Sequence, residues 1–432
     1  MKGKNKTVAI LTLGCKLNFA ESSAIAQEFK KHGFAEVKHN EFADIYIVNT
    51  CSVTEHSDKK CRQSIRKMHK QNIAAPIIVT GCYSQLKPEE VSKIEGVSAV
   101  IGQEHKGKIF KFAEELLQKK IKSTAAERTA IYSSDILKTT SIFPAYSYGE
   151  RTRSFLKVQD GCDYYCTYCT VPLARGHSRS VPSEIAIEQA KALAADGVKE
   201  IVLTGVNIGD YGRDMKKSGY DEYFLQLLKS LNSVDGIERY RISSIEPNLL
   251  RTNIIDWIAS GTKFQNHFHI PLQSGCDSIL ARMKRRYNTK MFAEKIAYIR
   301  EKMGDTFFGI DIIVGFPGET EEEFMQTYNF LSEEIKPAFL HIFPYSRRTG
   351  TIADSMPGQV PEIVKTNRVA LLEKLSDKLH MDYIKRFTGT EQEILFESAE
   401  KGGKMSGYTG NYIRIEAAYN SKLIGKIVKV KI

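Results

Sequence analysis

The first eighty residues alternate short apolar runs with longer amphipathic stretches. Thr7–Leu13, Asp44–Val48 and Pro76–Thr80 are apolar and β-branched, whereas Glu21–His32 and Ser57–Gln71 space their apolar residues as helices do. Strand alternating with helix predicts a parallel sheet covered by helices on both faces. The alternation resumes at Phe155–Gln159. It continues through Glu200–Thr204, Arg239–Ser244, His267–Leu272, Phe307–Val314 and Phe339–Phe343. Six such units predict a partial (β/α)6 barrel rather than a closed eight-stranded one. After Leu379 the pattern shortens to Glu391–Phe396, Tyr412–Ile415 and Leu423–Ile432, with turns at Gly402–Gly403 and Gly407–Gly410. That predicts a small antiparallel β-barrel. The expected fold class is α/β in three modules. Residues 1–142 form a doubly wound parallel-sheet domain, 147–378 the partial barrel and 379–432 the small antiparallel barrel.

Polar residues at the strand ends bring in the chemistry. Each of the first three strands is followed by a turn with one cysteine: TLGC (Cys15), NTC (Cys51) and TGC (Cys82). Ligands of open parallel sheets bind outside the carboxyl ends of the strands. Cysteines 36 and then 31 positions apart are therefore expected on one crest. Thr12, Asn49, Thr50 and Thr80 stand beside them as hydrogen-bonding neighbours. Three thiolates would leave one metal position open; three separate buried thiols are the simpler alternative. Cys61, in the middle of the helical segment KKCRQSIRK, reads as a bystander.

A second set follows the first barrel strand in DGCDYYCTYC. The spacing Cys162-x3-Cys166-x2-Cys169 offers three thiolates on one loop, enough for three irons of a [4Fe-4S] cube. Zinc motifs normally supply four ligands, and no fourth is offered here. The loop resembles the signature of the radical S-adenosylmethionine (SAM) superfamily, in which the open iron chelates SAM, and Tyr168 matches the usual aromatic. Among the later loops SSIEP, PLQSGCDS and VGFPGET, the residues Glu246, Gln273, Ser274 and Asp311 join Tyr168 as candidate SAM contacts. Each could instead cap a helix or brace a strand. Arg282, Lys284, Arg285, Arg286 and Lys290 form a basic cluster or a solvated face, and Cys276 has no partner cysteine nearby.

Composition narrows the classes. With 26% charged and 42% hydrophobic residues, the 432-residue chain is neither disordered nor fibrous. No apolar run reaches the roughly 18–20 residues that span a bilayer. The N-terminus MKGKNKTVAILTLGC lacks a cleavage site and reads as a first strand, so a cytoplasmic location is expected. In that reducing compartment clustered cysteines bind metal or react. The net charge of +11 favours a polyanionic partner. From Lys385 onward nine basic residues face five acidic ones, with Tyr408, Tyr412 and Tyr419 interleaved. That suits an RNA clamp with stacking surfaces, or a module that contacts only its own chain. Lys59, Arg62, Arg66 and Lys70 fall on one face of their helix, as a phosphate-binding stripe or a solvated surface.

Taken together, LGCKLNFAES, NTCSVT, TGC, CDYYCTYC, HIPLQSG and DIIVGFPGET resemble the radical SAM methylthiotransferases across essentially the whole chain. GCKLN and HSDKKCRQSIRK are most similar to the MtaB subgroup. The resemblance implies an N-terminal cluster domain, a radical SAM barrel and a C-terminal TRAM domain. It implies two [4Fe-4S] clusters, an auxiliary one on Cys15, Cys51 and Cys82 and a SAM-cleaving one on Cys162, Cys166 and Cys169. It further implies methylthio insertion at C2 of N6-threonylcarbamoyladenosine 37 in tRNA, with one SAM as methyl donor and one as radical source. The expected partners are the tRNA anticodon stem-loop and an external one-electron reductant, with the protein acting as a monomer. The sulfur donor and any catalytic side chain stay unassigned. The competing readings are methylthiolation of isopentenyladenosine or of a ribosomal-protein aspartate, and a non-catalytic iron–sulfur RNA-binding protein.

Overall fold

The computed structural model describes residues 6–52, 54–122, 129–148, 152–215 and 222–432. The chain forms two compact units. The first comprises Met1–Tyr148, Asp160–Asp163 and Thr170–Val181; the second comprises Gly149–Gln159, Tyr164–Cys169 and Pro182–Ile432. The C-terminal module thus belongs to the same unit as the barrel strands.

The first unit is built on a parallel sheet of β1 (Thr7–Thr12), β2 (Ala35–Val37), β3 (Ile45–Thr50), β4 (Ile77–Gly81), β5 (Val97–Ile101) and β6 (Ala130–Tyr132). Their order is β2-β1-β3-β4-β5-β6. Helices α1 (Lys16–Lys31), α2 (Glu55–Gln71), α3 (Cys82–Leu86) and α4 (Ile109–Lys122) cover it. Alternate strand residues feed separate cores. Ala9, Val48, Ile77 and Val79 pack with Cys61, Ile65 and Met68 of α2. Val8, Ile45, Ile47 and Ile78 pack with Ile25 and Phe29 of α1 and Ala113 of α4. Both faces being covered, all six residues of β3 are buried. The sequence shows only three of these six strands; β2 and β6 are three residues long and not buried, too short to show a period. The strand order reverses between β1 and β3, and β1, β3 and β4 are neighbours in register, Thr12 against Asn49 and Asn49 against Thr80.

The second unit carries six parallel strands: β7 (Arg153–Lys157), β8 (Glu200–Thr204), β9 (Arg239–Ile242), β10 (His267–Gln273), β11 (Phe307–Val314) and β12 (Phe339–Pro344). Between them lie α6 (Ser183–Ala195), α7 (Tyr223–Asn232), α8 (Thr252–Ala259), α9 (Asp277–Arg282), α10 (Thr289–Met303) and α11 (Glu321–Asn329); α5 (Val171–Arg175) belongs to the first unit. Strands β7 to β9 form one sheet segment and β10 to β12 another, and a parallel bridge from Ser244 to His269 links them. This is the six-stranded open arrangement that the alternation predicts.

After the long helix α12 (Glu362–Lys385) the chain forms β13 (Glu391–Lys401), β14 (Lys404–Thr409), β15 (Arg414–Ala418) and β16 (Ile427–Lys431), antiparallel in the order β15-β14-β13-β16. The sheet does not close into the expected barrel among the described residues. Strand β14 occupies a segment that reads as a turn because of Gly407. That glycine sits mid-strand because a side chain there would meet Ile394 Cγ2 and Leu395 O at 2.6 Å.

Two buried arginines, Arg239 and Arg241, and the part-buried Arg153 hold this sheet from the N-terminal ends of the barrel strands. Arg241 donates to Glu200 at 2.8 and 3.2 Å and to the carbonyls of Gly410 and Thr409 at 2.8 Å each. Arg239 donates to Glu393 O at 2.9 Å, and Arg153 to Glu397 Oε1 at 2.8 Å. Tyr408 and Tyr412, expected as stacking surfaces for RNA, are instead stacked on each other, with centroids 4.8 Å apart. They pack on Arg153 (4.3 Å to the Tyr408 ring) and Arg241 (4.9 Å to the Tyr412 ring). Tyr419 is 41% exposed and keeps its outward face. Burial alone would raise the Glu200 carboxyl; Arg241, then Arg153 and Arg239, outweigh it and hold it below its ordinary value. Removing one partner of such a buried set leaves a charge uncompensated. Arg241→Ala is therefore expected to destabilise the second unit by about 3–5 kcal/mol. The measurement is urea unfolding followed through Trp257, the sole tryptophan.

Candidate functional site

The three cysteines of the first unit stand at the carboxyl ends of adjacent strands. Cys15 caps α1 after β1, Cys51 follows β3 directly, and Cys82 opens α3 after β4. Gly14 adopts φ +110°, and a Cβ there would lie 2.7 Å from Cys51 Cβ and 3.1 Å from its sulfur. Only glycine lets the first turn press this closely on the second cysteine. Side chains below the crest tie the strand ends together. Asn18 Nδ2 donates to Leu13 O (2.7 Å) and Thr50 O (3.0 Å), Asn49 Nδ2 donates to Asn18 O (3.0 Å), and Thr50 Oγ1 donates to Thr80 O (2.6 Å). The expected neighbours Asn49 and Thr50 thus bond to strand ends and helix backbone rather than to sulfur.

Beneath lies a charge network that the sequence does not announce. Arg175, at the end of α5, donates to Glu21 Oε1 (3.1 Å), Asp160 Oδ1 (2.9 Å) and Asn18 Oδ1 (2.6 Å). Lys106 donates to Glu21 Oε2 at 2.6 Å. All of these side chains are buried. Burial opposes the charge on Arg175, but Asp160 and Glu21 hold it firmly protonated. Burial pushes the Cys82 thiol up; Arg175 opposes that, Cys15 adds to it, and Lys106 opposes it again. The two cations thus favour a Cys82 thiolate. Asn18 and Glu21 stand within the LGCKLNFAES motif, whereas Lys106 and Arg175 carry no local signal.

Arg175 also supports the second cysteine loop where that loop belongs to the first unit. Its partner Asp160 accepts from Gly161 N at 2.9 Å, and Cys162 N donates to Gly176 O at 3.0 Å. In the second unit, Cys169 N donates to Cys166 O at 3.0 Å, and Thr167 Oγ1 to Arg282 O at 3.0 Å. Here Arg285 is the organising side chain. It donates to Cys166 Sγ (3.0 Å) and Tyr168 Oη (3.3 Å), pairs with Glu246, and donates through Nε to Tyr287 Oη at 2.9 Å. Tyr287 in turn donates to Leu272 O at 3.0 Å. Of the candidate SAM contacts, Tyr168 and Glu246 are therefore brought together with Cys166, through an arginine that the sequence marks only as one of a basic cluster.

The other three stand apart. Gln273 ends β10 at φ +68°, a strained conformation for a side-chain-bearing residue. Ser274 is fully buried, its hydroxyl 3.1 Å from Thr327 Oγ1. Asp311 lies 2.6 Å from His269 Nε2. The basic cluster itself disperses: Arg282 pairs with Glu323 at 2.6 Å, and Arg286 lies 4.0 Å over the Tyr164 ring. On α2, Arg62 turns inward to Tyr83 (2.9 Å) and Glu90 (3.2 Å), leaving Lys59, Arg66 and Lys70 exposed. Cys61 is fully buried, with its thiol pushed up to about 12, mainly by burial and then by Asp58. Cys276 packs with Ile279, Met283 and Phe316.

The donors fit metal clusters. Three thiols share one crest over two buried cations, and Thr80 Oγ1 and Ser84 Oγ, flanking Cys82 in sequence, are buried without a hydrogen-bond partner. Comparison with known proteins agrees. Residues 7–102 match the model described as Uncharacterized protein family UPF0004, and residues 156–331 the Radical SAM superfamily. A solved radical SAM methyltransferase, TsrM from Kitasatospora setae, superposes with a TM-score of 0.58 at 13% identity, covering 93% of this chain and 81% of that one. Fold and cysteine loop thus define a radical SAM protein. The Bacillus subtilis threonylcarbamoyladenosine tRNA methylthiotransferase MtaB is 42% identical over 99% of this chain and 93% of its own. The protein of that name from Aquifex aeolicus is 36% identical over 98% of this chain and 100% of its own. A Clostridium botulinum tRNA-2-methylthio-N(6)-dimethylallyladenosine synthase is 33% identical over 98% and 92%. The chain belongs to the radical SAM methylthiotransferases, enzymes that use SAM and [4Fe-4S] clusters.

Reconstituted protein is expected to hold about eight irons per chain, as two four-iron cubes. Cys51→Ala and Cys166→Ala should each lower that to about four, and Gly14→Ala should behave as Cys51→Ala. Cys61→Ala should leave the iron unchanged. Chemical iron analysis reads all four.

Proposed function

We propose that the protein inserts a methylthio group at C2 of N6-threonylcarbamoyladenosine 37 in tRNA. The observation that carries the reading is the presence, in one chain, of a three-cysteine crest on a doubly wound sheet and a radical SAM loop on a six-stranded barrel. The end-to-end similarity to the Bacillus subtilis methylthiotransferase supports the choice of substrate.

Replacing an unactivated aromatic C–H lies outside acid–base catalysis, and bound SAM with its clusters supplies the methyl group and the radical chemistry. Cys15, Cys51 and Cys82 would hold one cluster, and Cys162, Cys166 and Cys169 the other. The side chains around them balance charge and fix position. Arg175 and Lys106 offset the negative charge of the first thiolate set, and Arg285 donates to Cys166 and clamps Tyr168. Glu246, paired with Arg285, is the carboxylate we assign to the SAM ammonium group. Gln273 and Ser274 complete the candidate set at the end of β10, whereas Asp311, bonded to His269, is turned to a different use.

The RNA partner is the anticodon stem-loop, whose loop nucleotide unstacks more easily than a paired one. The exposed cations Lys59, Arg66 and Lys70 of the first unit, and separately the outward Tyr419 of the second, are the contacts we assign to it. An external one-electron reductant is the partner expected for a cluster held by Cys162, Cys166 and Cys169, and the protein is read as a cytoplasmic monomer. No helix among the described residues is long and apolar enough to cross a membrane.

Anaerobic reconstitution with SAM, reductant and tRNA, followed by nucleoside mass analysis, tests the reading. Threonylcarbamoyladenosine should gain one methylthio group in place of one hydrogen; gain only on isopentenyladenosine, or on neither, overturns it. Replacing Lys59, Arg66 and Lys70 together by alanine should weaken tRNA binding and reduce the slope of log K against log salt by about 2–3.

A further inference from the structure

Strands β10, β11 and β12 present two very different faces. Ile270, Leu272, Ile310, Ile312 and Leu340 are buried on one. The alternate residues His269, Asp311 and His341 point to the other and keep partial access to solvent. In register, Asp311 lies beside His341, and His269 beside Gly309. A Cβ at Gly309 would lie 3.5 Å from His341 Nε2, an ordinary contact that places this imidazole beside the glycine. His269 Nε2 is 2.6 Å from Asp311 Oδ1, the two imidazole rings are 4.8 Å apart, and one ligand atom from each of the three residues lies within 4.8 Å of the others. Further along the same face, towards the strand ends, stand Ile313 and the 45% exposed ring of Phe343.

A polar trio on an open barrel face, with an apolar surface and an exposed ring above it, fits a planar base that carries a polar substituent. C2 and the N6 substituent of adenine flank N1 on the same edge of the base. A pocket that reads the substituent therefore belongs on the sheet that bears the reaction site. The hydrogen bond to Asp311 fixes the tautomer and orientation of His269, as a carboxylate does for an imidazole.

We propose that His269, Asp311 and His341 form the pocket for the N6 threonylcarbamoyl side chain, with the two imidazoles meeting its carboxylate and Asp311 orienting His269. This rests on the function proposed above. A dimethylallyl group would offer none of the three a hydrogen bond. Sites built to hydrogen-bond a substrate reject analogues lacking the polar group by about 10⁴-fold.

The test uses reconstituted full-length protein and two anticodon stem-loop RNAs, one with threonylcarbamoyladenosine and one with dimethylallyladenosine at the target position. The variants are His341→Leu, His341→Gln and Asp311→Asn. His341→Leu should lower kcat/KM on the first RNA by about 10- to 100-fold, the loss expected for one hydrogen bond to a charged group. It should weaken binding of that RNA, by fluorescence anisotropy, and leave iron content and RNA-independent SAM cleavage unchanged. His341→Gln, which keeps a hydrogen-bonding group, should recover part of the loss, and Asp311→Asn should fall between. Unaltered binding and kcat/KM in His341→Leu would overturn the pocket while leaving the proposed function intact. So would a stoichiometric divalent metal, beyond the cluster iron, that His341→Leu abolishes. If the wild-type protein modified neither RNA, the functional reading itself would fail and the pocket with it.

Discussion

A charge taken out of water persists only where other charges and hydrogen bonds replace its hydration. The first unit is organised around that constraint. Arg175 is buried between Glu21 and Asp160, with Lys106 on the far oxygen of Glu21, directly beneath the cysteine crest. A cluster bound by the three thiolates would add negative charge at the same place, and the two cations stand there to meet it. The arrangement also carries geometry. Through Asn18 it fixes the ends of β1 and β3, and through Asp160 the backbone that leads into Cys162.

The second unit repeats the device at both ends of its strands. At the carboxyl ends, Arg285 joins Cys166, Tyr168 and Glu246 and is anchored to β10 by Tyr287. At the amino ends, Arg153, Arg239 and Arg241 surround Glu200 and hold the antiparallel sheet. Chemistry at one end and stability at the other is the usual division of labour in β/α barrels. It also explains why two of the three C-terminal tyrosines are committed to internal packing.

The cysteine crest and the six barrel strands were legible because their signals are local: an apolar run, then a turn with one polar residue. What the sequence hid is long-range. Arg175 and Glu21 are 154 positions apart and Arg285 and Cys166 are 119 apart, so no window along the chain shows either pair. Gly407 reads as a turn signal, yet it sits inside a strand because the neighbouring strand comes too close for a side chain. The helical stripe on α2 is correct in spacing but not in use, since the partners that draw Arg62 inward lie on later segments.

The central claim is that this chain uses radical chemistry to replace the C2 hydrogen of the target adenosine. The most direct measurement is transfer of deuterium from a C2-deuterated threonylcarbamoyladenosine in tRNA into 5′-deoxyadenosine during anaerobic turnover. Labelled 5′-deoxyadenosine formed in step with methylthiolated nucleoside is the predicted result. Methylthiolated nucleoside with no label in 5′-deoxyadenosine would contradict it.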